Sequence, residues 1–161
     1  MASRSRKELV DAISLESRRS QNRTDAYDEA VSEAVGINRT DLRCLDILEQ
    51  EGETTAGRLS ELMGLTTGAI TTVIDRLERV GYVRRVRDET DRRRVRVVVG
   101  ESAMETLWPY YEPVGRMAEE LFERFTDEQL EVVLDFLQTG AELHDRVLAD
   151  LKARLAEGSR E

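Results

Sequence analysis

The sequence predicts a mainly α-helical chain with one small β-hairpin and long helices at both ends. Three observations predict it. Only two prolines, Pro109 and Pro113, occur in 161 residues, so little interrupts helical runs. Apolar residues recur at three-and-four spacing over most of the chain but alternate over 95–99, the period of a strand. Between those regimes, 84–96 gathers seven arginines against Asp88, Glu89 and Asp91.

Taken in order, residues 5–35 read as a first helix, polar at its start and more periodic around Tyr27, Ala30, Val31 and Ala34. Its weakly apolar first third is expected to fray, or to order only against a second chain. Gly36 supplies a C-cap. Asn38, with Asp41 three residues on, opens a second helix whose apolar side is Leu42, Leu45, Ile47 and Leu48 and which ends near Gly52. Thr55 caps a short third helix bearing Leu59, Leu62 and Met63, stopped at Gly64. Thr66 caps a fourth over 67–80, with Ile70, Val73, Ile74, Leu77 and Val80 on one face and Thr67, Gly68, Thr71, Thr72, Asp75 and Arg76 on the other. Two helices joined by a Gly-Leu-Thr turn have the form of a helix-turn-helix.

The chain breaks at Gly81 and runs into two short strands, with Val83 and Val86 in one and Val95, Val97 and Val99 in the other. A fifth helix starts near Glu101, and Pro109 and Pro113 inside it predict a kink or a break. Thr126 and Gln129 form a capping box for the last helix. There Leu130, Leu134, Leu137, Ala141, His144, Leu148, Leu151 and Leu155 keep four-three spacing. That is a coiled-coil seam, and it reads as a homodimer surface.

Charge separates by region. The net charge is −9, yet the seven arginines and three acids of 84–96 sum to +4, leaving −13 elsewhere. Local sign governs docking on phosphate, because screening cuts interactions off within about 8 Å at physiological salt. A solvated hairpin is the alternative reading of that cluster. The single cysteine, Cys44, forbids an intrachain disulfide, and no apolar run approaches a membrane span or a signal peptide. A cytoplasmic protein with no membrane partner is expected. One His and one Cys exclude a His/Cys zinc site, and no phosphate loop or nucleophile elbow occurs. No enzyme, cofactor or metal is therefore expected.

The DNA-facing candidates follow from chemistry. Thr66, Thr67, Gly68, Thr71 and Thr72 are small enough for close approach to base edges, and threonine offers both a hydroxyl and a methyl for thymine. Arg76 lies a turn further on. A helix N-terminus also favours a nearby phosphate. Arg92, Arg93 and Arg94 can reach the minor groove or its flanking phosphates. Asp91 would repel phosphate unless it orients an arginine, Arg93 or Arg76.

With these residues in place, the stretch LSELMGLTTGAITTVIDRLERVGYVRRVRDETDRRRVRVVV between long helices resembles the multiple-antibiotic-resistance (MarR) family of winged helix-turn-helix transcriptional regulators. Its most specific parts are Asp75-Arg76-Leu77, Gly81-Tyr82-Val83 and Asp91-Arg92-Arg93. The resemblance implies one domain over 1–161, with dimerisation helices at 5–36 and 101–158 around a DNA-binding lobe at 37–100. It implies a homodimer whose recognition helices bind a pseudo-palindromic operator on double-stranded DNA, usually as a repressor. Arg93 would enter the minor groove, with Asp91 as its paired acid. Gly100 departs from the pattern, since a threonine is usual there, and so does the proline pair. A pocket for a small-molecule effector is implied as well, and Tyr27, Val31, Ile37, Arg43, Cys44, Ile47, Trp108, Tyr111 and Met117 are the candidates to line it. Each of these also reads as ordinary core. Cys44 is either a redox sensor or, with Leu42 and Leu45 beside it, a buried and inert thiol. His144 reads as an interface residue or a pH switch.

Two functions are therefore weighed: a dimeric, sequence-specific DNA-binding repressor relieved by a ligand, and a winged-helix dimer that binds another protein without specific DNA contact.

Overall fold

The computed structural model describes residues 4–87 and 95–158. Its elements run α1 (Arg6–Val35), α2 (Arg39–Glu51), β1 (Thr54–Thr55), α3 (Ala56–Met63), α4 (Thr67–Arg79), β2 (Val83–Arg87), β3 (Val95–Val99), α5 (Glu101–Phe122) and α6 (Asp127–Gly158). The chain is mainly helical with one small antiparallel sheet, as the periodicity predicts. It divides into two compact units, Met1–Tyr111 and Glu112–Glu161.

Helix boundaries follow their caps. Asn38 accepts from the Asp41 N–H at 2.9 Å, Thr55 from Arg58 at 3.2 Å and Thr66 from Ala69 at 3.2 Å. Each satisfies one of the backbone donors that a helix start leaves without a partner. Gly36 and Gly64 close α1 and α3 in the left-handed conformation, at φ 71° and 67°. The box opening α6 is complete: the Thr126 N–H donates to Gln129 at 3.0 Å and the Gln129 N–H to Thr126 at 3.4 Å.

Two expectations are corrected. The first third of α1 is helical from Arg6, started by a capping box in which the Ser5 side chain accepts from the Glu8 N–H and Glu8 accepts from the Ser5 N–H. Ser5 and Glu8 carry the S-x-x-E spacing of such a box. No break occurs at the proline pair either, and α5 is one helix from Glu101 to Phe122. Pro109 and Glu105 are both exposed, so the carbonyl that loses its intrahelical donor at Pro109 stays in contact with water.

The core of the first unit lies under α4. Ile70, Ile74 and Leu77 are fully buried against Leu45, Leu48, Leu59, Val83 and Val97. Each such side chain contributes about 1.5–3 kcal/mol by leaving water. The sheet has the order β1-β3-β2, with Val83 opposite Val99 and Arg85 opposite Val97. Strand β1 was not foreseen. Its two threonines pair with Val97 and Arg96, and two residues are too few to show a period.

Gly100 makes the turn from β3 into α5. Its N–H donates to the Tyr82 carbonyl at 2.9 Å, and a Cβ there would lie 2.4 Å from the Gly81 carbonyl oxygen. That contact accounts for the glycine at this turn. In the second unit, α6 buries none of its residues, and Leu134, Leu137, Leu148 and Leu151 of the seam are exposed. Among the described residues, no helix is long and apolar enough to cross a membrane.

Candidate nucleic-acid interface

Helix α4 has two faces because its apolar residues sit three or four apart. Ile70, Val73, Ile74 and Leu77 go inward, which leaves Thr66, Thr67, Gly68, Thr71, Thr72 and Asp75 exposed together. The first turn holds no acid. Such a helix start carries partial positive charge and suits an anion.

The threonines are more constrained than their exposure suggests. Thr71 donates its hydroxyl to the Thr67 carbonyl at 2.8 Å, and Thr72 donates to Gly68 at 3.1 Å. With Thr66 accepting from Ala69, three of the four hydroxyls are engaged with the helix itself. What Thr71 and Thr72 still offer is a methyl and the lone pairs of a hydroxyl oxygen. A methyl suits thymine, and an acceptor suits the exocyclic amine of adenine or cytosine.

Arg76 is held by a buried acid. Its guanidinium donates from Nε to Asp41 Oδ2 at 2.7 Å and from Nη2 to Oδ1 at 2.5 Å. The hydrogen bond to Asp41 raises the Arg76 pKa further above its already high value, against a smaller opposing effect of burial. The acid serving Arg76 is therefore Asp41, reached across 35 residues. Asp91, Arg92, Arg93 and Arg94 lie outside the described residues.

A second arginine ties the sheet to α4. Arg85 donates to Asp75 at 2.5 Å and also to Glu78. Burial works against the Arg85 charge, and the two carboxylates outweigh it, so its pKa rises. The pairing locks β2 against the exposed face of α4 and neutralises Asp75, which would otherwise repel phosphate. The sequence reading missed both Asp41 and the Arg85 clamp. In the sequence Asp41 reads as part of a helix start, and a carboxylate at such a position is free to face a neighbouring helix.

The pocket candidates separate. A cavity of about 510 Å³ in the first unit is lined by Arg43, Trp108 and Tyr111 of the predicted set, with Arg39, Leu45 and Asp46 among the rest. Tyr27 does not line it but lies edge-on to Tyr111, with ring centres 5.9 Å apart and its hydroxyl donating to the Tyr110 carbonyl. Tyr111 donates to Asp28 at 2.8 Å, and Asp28 pairs with Arg39 at 3.0 Å. Burial and that carboxylate raise the Tyr111 pKa, so the phenol stays protonated. The others do not line this cavity: Val31 and Cys44 are buried, Ile37 and Ile47 pack on the core, and Met117 is exposed in the second unit. Ile37 instead borders a separate cavity of about 340 Å³ beside Asp41 and Arg76.

Comparison with known proteins agrees with this geometry. The MarR family model matches residues 37–95. A Bacillus subtilis protein described as the uncharacterized HTH-type transcriptional regulator YcgE is 35% identical over 148 residues, which cover 92% of this chain and 96% of that one. The chain belongs to the MarR family. A MarR family protein from Bacillus stearothermophilus superposes with a TM-score of 0.59 at 26% identity, covering 90% of this chain and 99% of that chain. The transcriptional regulator Tm0710 from Thermotoga maritima has the same fold, with a TM-score of 0.61 at 23% identity over 86% of this chain and 98% of its own. The helix-turn-helix of α3 and α4 with strands β2 and β3 is thus the winged helix of a DNA-binding transcriptional regulator.

Proposed function

We propose that the chain works as a homodimer that binds a pseudo-palindromic operator through α4 and the wing, and represses transcription until a small molecule occupies the cavity at Trp108 and Tyr111. One observation carries this reading. The exposed face of α4 presents Thr67, Gly68, Thr71 and Thr72 with no unpaired acid, beside strands rich in arginine. Phosphate contacts would position the module, and α4 would read base edges.

The dimer is supported by the four-three seam of α6, whose Leu134, Leu137, Leu148 and Leu151 remain exposed in the single chain. Exposed leucines in that register are stabilised by a matching helix. Leu9, Val10 and Ile13 of α1 are exposed in the same way. Repression follows from occupancy, since a dimer spanning two half-sites excludes other proteins from that DNA. Relief by a ligand is supported by the cavity's mix of aromatic, apolar and charged walls.

The test is a binding titration on mixed-sequence duplex over a range of salt concentrations. Release of counterions by several arginines predicts a steep fall of affinity with salt, with a logarithmic slope of about −0.9 per phosphate contacted. A flat response, or no binding, removes the DNA reading and leaves a winged-helix dimer that engages other proteins.

A further inference from the structure

We propose that Asp41 is a positioning residue for DNA binding: it holds Arg76 on the flank of α4 so that Nη1 meets a backbone phosphate while Nε and Nη2 stay on the carboxylate. This rests on the DNA reading above and names a phosphate clamp within it.

The Asp41 side chain is 1% exposed, whereas that of Arg76 is 38% exposed. The guanidinium therefore bridges two environments. One edge neutralises a buried carboxylate through two hydrogen bonds, at 2.7 and 2.5 Å. The remaining nitrogen, Nη1, has no protein partner among the described residues. Asp41 and Arg76 themselves line a cavity together with Gly36, Asn38, Leu77 and Val80, so open space adjoins the pair.

Location on the helix favours a role in DNA contact. Gly68, Thr72 and Arg76 lie four apart and form a strip along α4, and residues at that spacing are surface neighbours. Gly68 and Thr72 are exposed. A phosphate beside the groove entered by Thr72 lies one helical turn from Arg76.

Energetics makes the arrangement fixed rather than optional. If Arg76 left for a phosphate, Asp41 would remain charged and buried without a partner, which is strongly unfavourable. The arginine therefore keeps the pair while it donates from Nη1. Its fork is already immobilised, so little further side-chain freedom is lost on binding. Asp41 is itself anchored, because its backbone N–H is held by the Asn38 cap at 2.9 Å. Arg85 shows the alternative, in which an arginine is spent on Asp75 and Glu78 to brace the sheet.

The experiment uses the full chain and a duplex selected by the wild-type protein from a randomised pool, with affinity measured by fluorescence anisotropy over a salt series. Asp41→Asn removes a negative charge, so electrostatics without positioning predicts tighter binding. Positioning predicts the opposite, a loss of about tenfold, in line with one charge-assisted contact. Arg76→Ala is expected to weaken binding and to lower the salt slope by about 0.9 per protomer. In the double variant, Asp41→Asn is expected to add no further loss. A purely structural pair would leave the slope of a folded Arg76→Ala unchanged. Thermal unfolding confirms that each variant is native at the assay temperature. If Asp41→Asn is not, Arg76→Lys decides: it keeps the charge but loses the fork, so reduced affinity supports the clamp and unchanged affinity overturns it.

Equal or tighter binding by folded Asp41→Asn overturns the proposal, as does an unchanged slope in Arg76→Ala. If the wild-type protein binds with steep salt dependence, those results leave the DNA reading standing. If it binds no duplex, both fall.

Discussion

Thr66→Asp separates the two tasks that Thr66 serves. The residue is the N-cap of α4, with extended backbone at φ −69° and ψ 155° and its hydroxyl oxygen 3.2 Å from the Ala69 nitrogen. Aspartate accepts the same hydrogen bond and is among the best capping residues, so the roughly 1 kcal/mol a cap contributes is retained. Its charge also sits at the positive end of the helix, which adds about 0.3–1 kcal/mol because the first turn of α4 holds no acid. DNA binding responds in the opposite sense. A carboxylate about 6 Å from a phosphate costs about 0.7 kcal/mol in a water-like medium and about 3 kcal/mol at the effective dielectric of a protein surface. Per half-site that is a loss of roughly 3- to 100-fold. The assay pairs thermal unfolding with anisotropy on the same duplex. The expected result is unchanged or raised stability with weakened binding. Unchanged binding in a folded Thr66→Asp chain would refute the placement of α4's N-terminus against DNA.

Three further outcomes are expected. Gly100→Ala places a Cβ 2.4 Å from the Gly81 carbonyl oxygen, so denaturant titration should show a loss of about 1–3 kcal/mol as the backbone shifts; an unaltered midpoint would contradict the tight turn. Burial, helped by Asp41, pushes the Cys44 thiol up to about 12 from 9.0. The folded state thus favours the neutral thiol, and this stabilising effect is complete below about pH 9 and lost as pH rises toward 12. At pH 8 a thiol reagent should modify Cys44 no faster than the chain unfolds, and rapid labelling of folded protein would restore a sensing role. Leu148→Glu on the exposed seam of α6 should shift sedimentation toward monomer and weaken operator binding, whereas an unchanged dimer would move the interface elsewhere.

What could be read from the chain was whatever a few consecutive residues decide. The caps at Asn38, Thr55, Thr66 and Thr126 and the glycine stops at Gly36 and Gly64 involve partners at most five residues apart. Their geometry is local, so the residue types suffice. The burial of Ile70, Ile74 and Leu77 and the exposure of the threonine face follow from a period of 3.6. The family resemblance rested on the same stretch.

The proline pair shows where local rules overreach. They predicted a kink or a break in α5; the break does not occur, because solvent at Glu105 and Pro109 accommodates the lost hydrogen bond and the helix continues. Strand β1 lay beyond local reading for another reason: two threonines become a strand only because β3 has an edge to offer at Val97 and Arg96.

By itself, then, the sequence determined the helical class, the winged helix-turn-helix, the family and the face of α4 that meets solvent. Only the tertiary structure decided which charges meet. Arg76 pairs with Asp41 across 35 residues, Arg85 turns back to Asp75 and Glu78, and Tyr111 reaches Asp28 across 83 residues. The physical reason is desolvation. The Asp41 carboxylate needs a partner once packing has removed its water, and which charges lose their water or come within reach of one another is a property of the assembled core, not of any short stretch of chain.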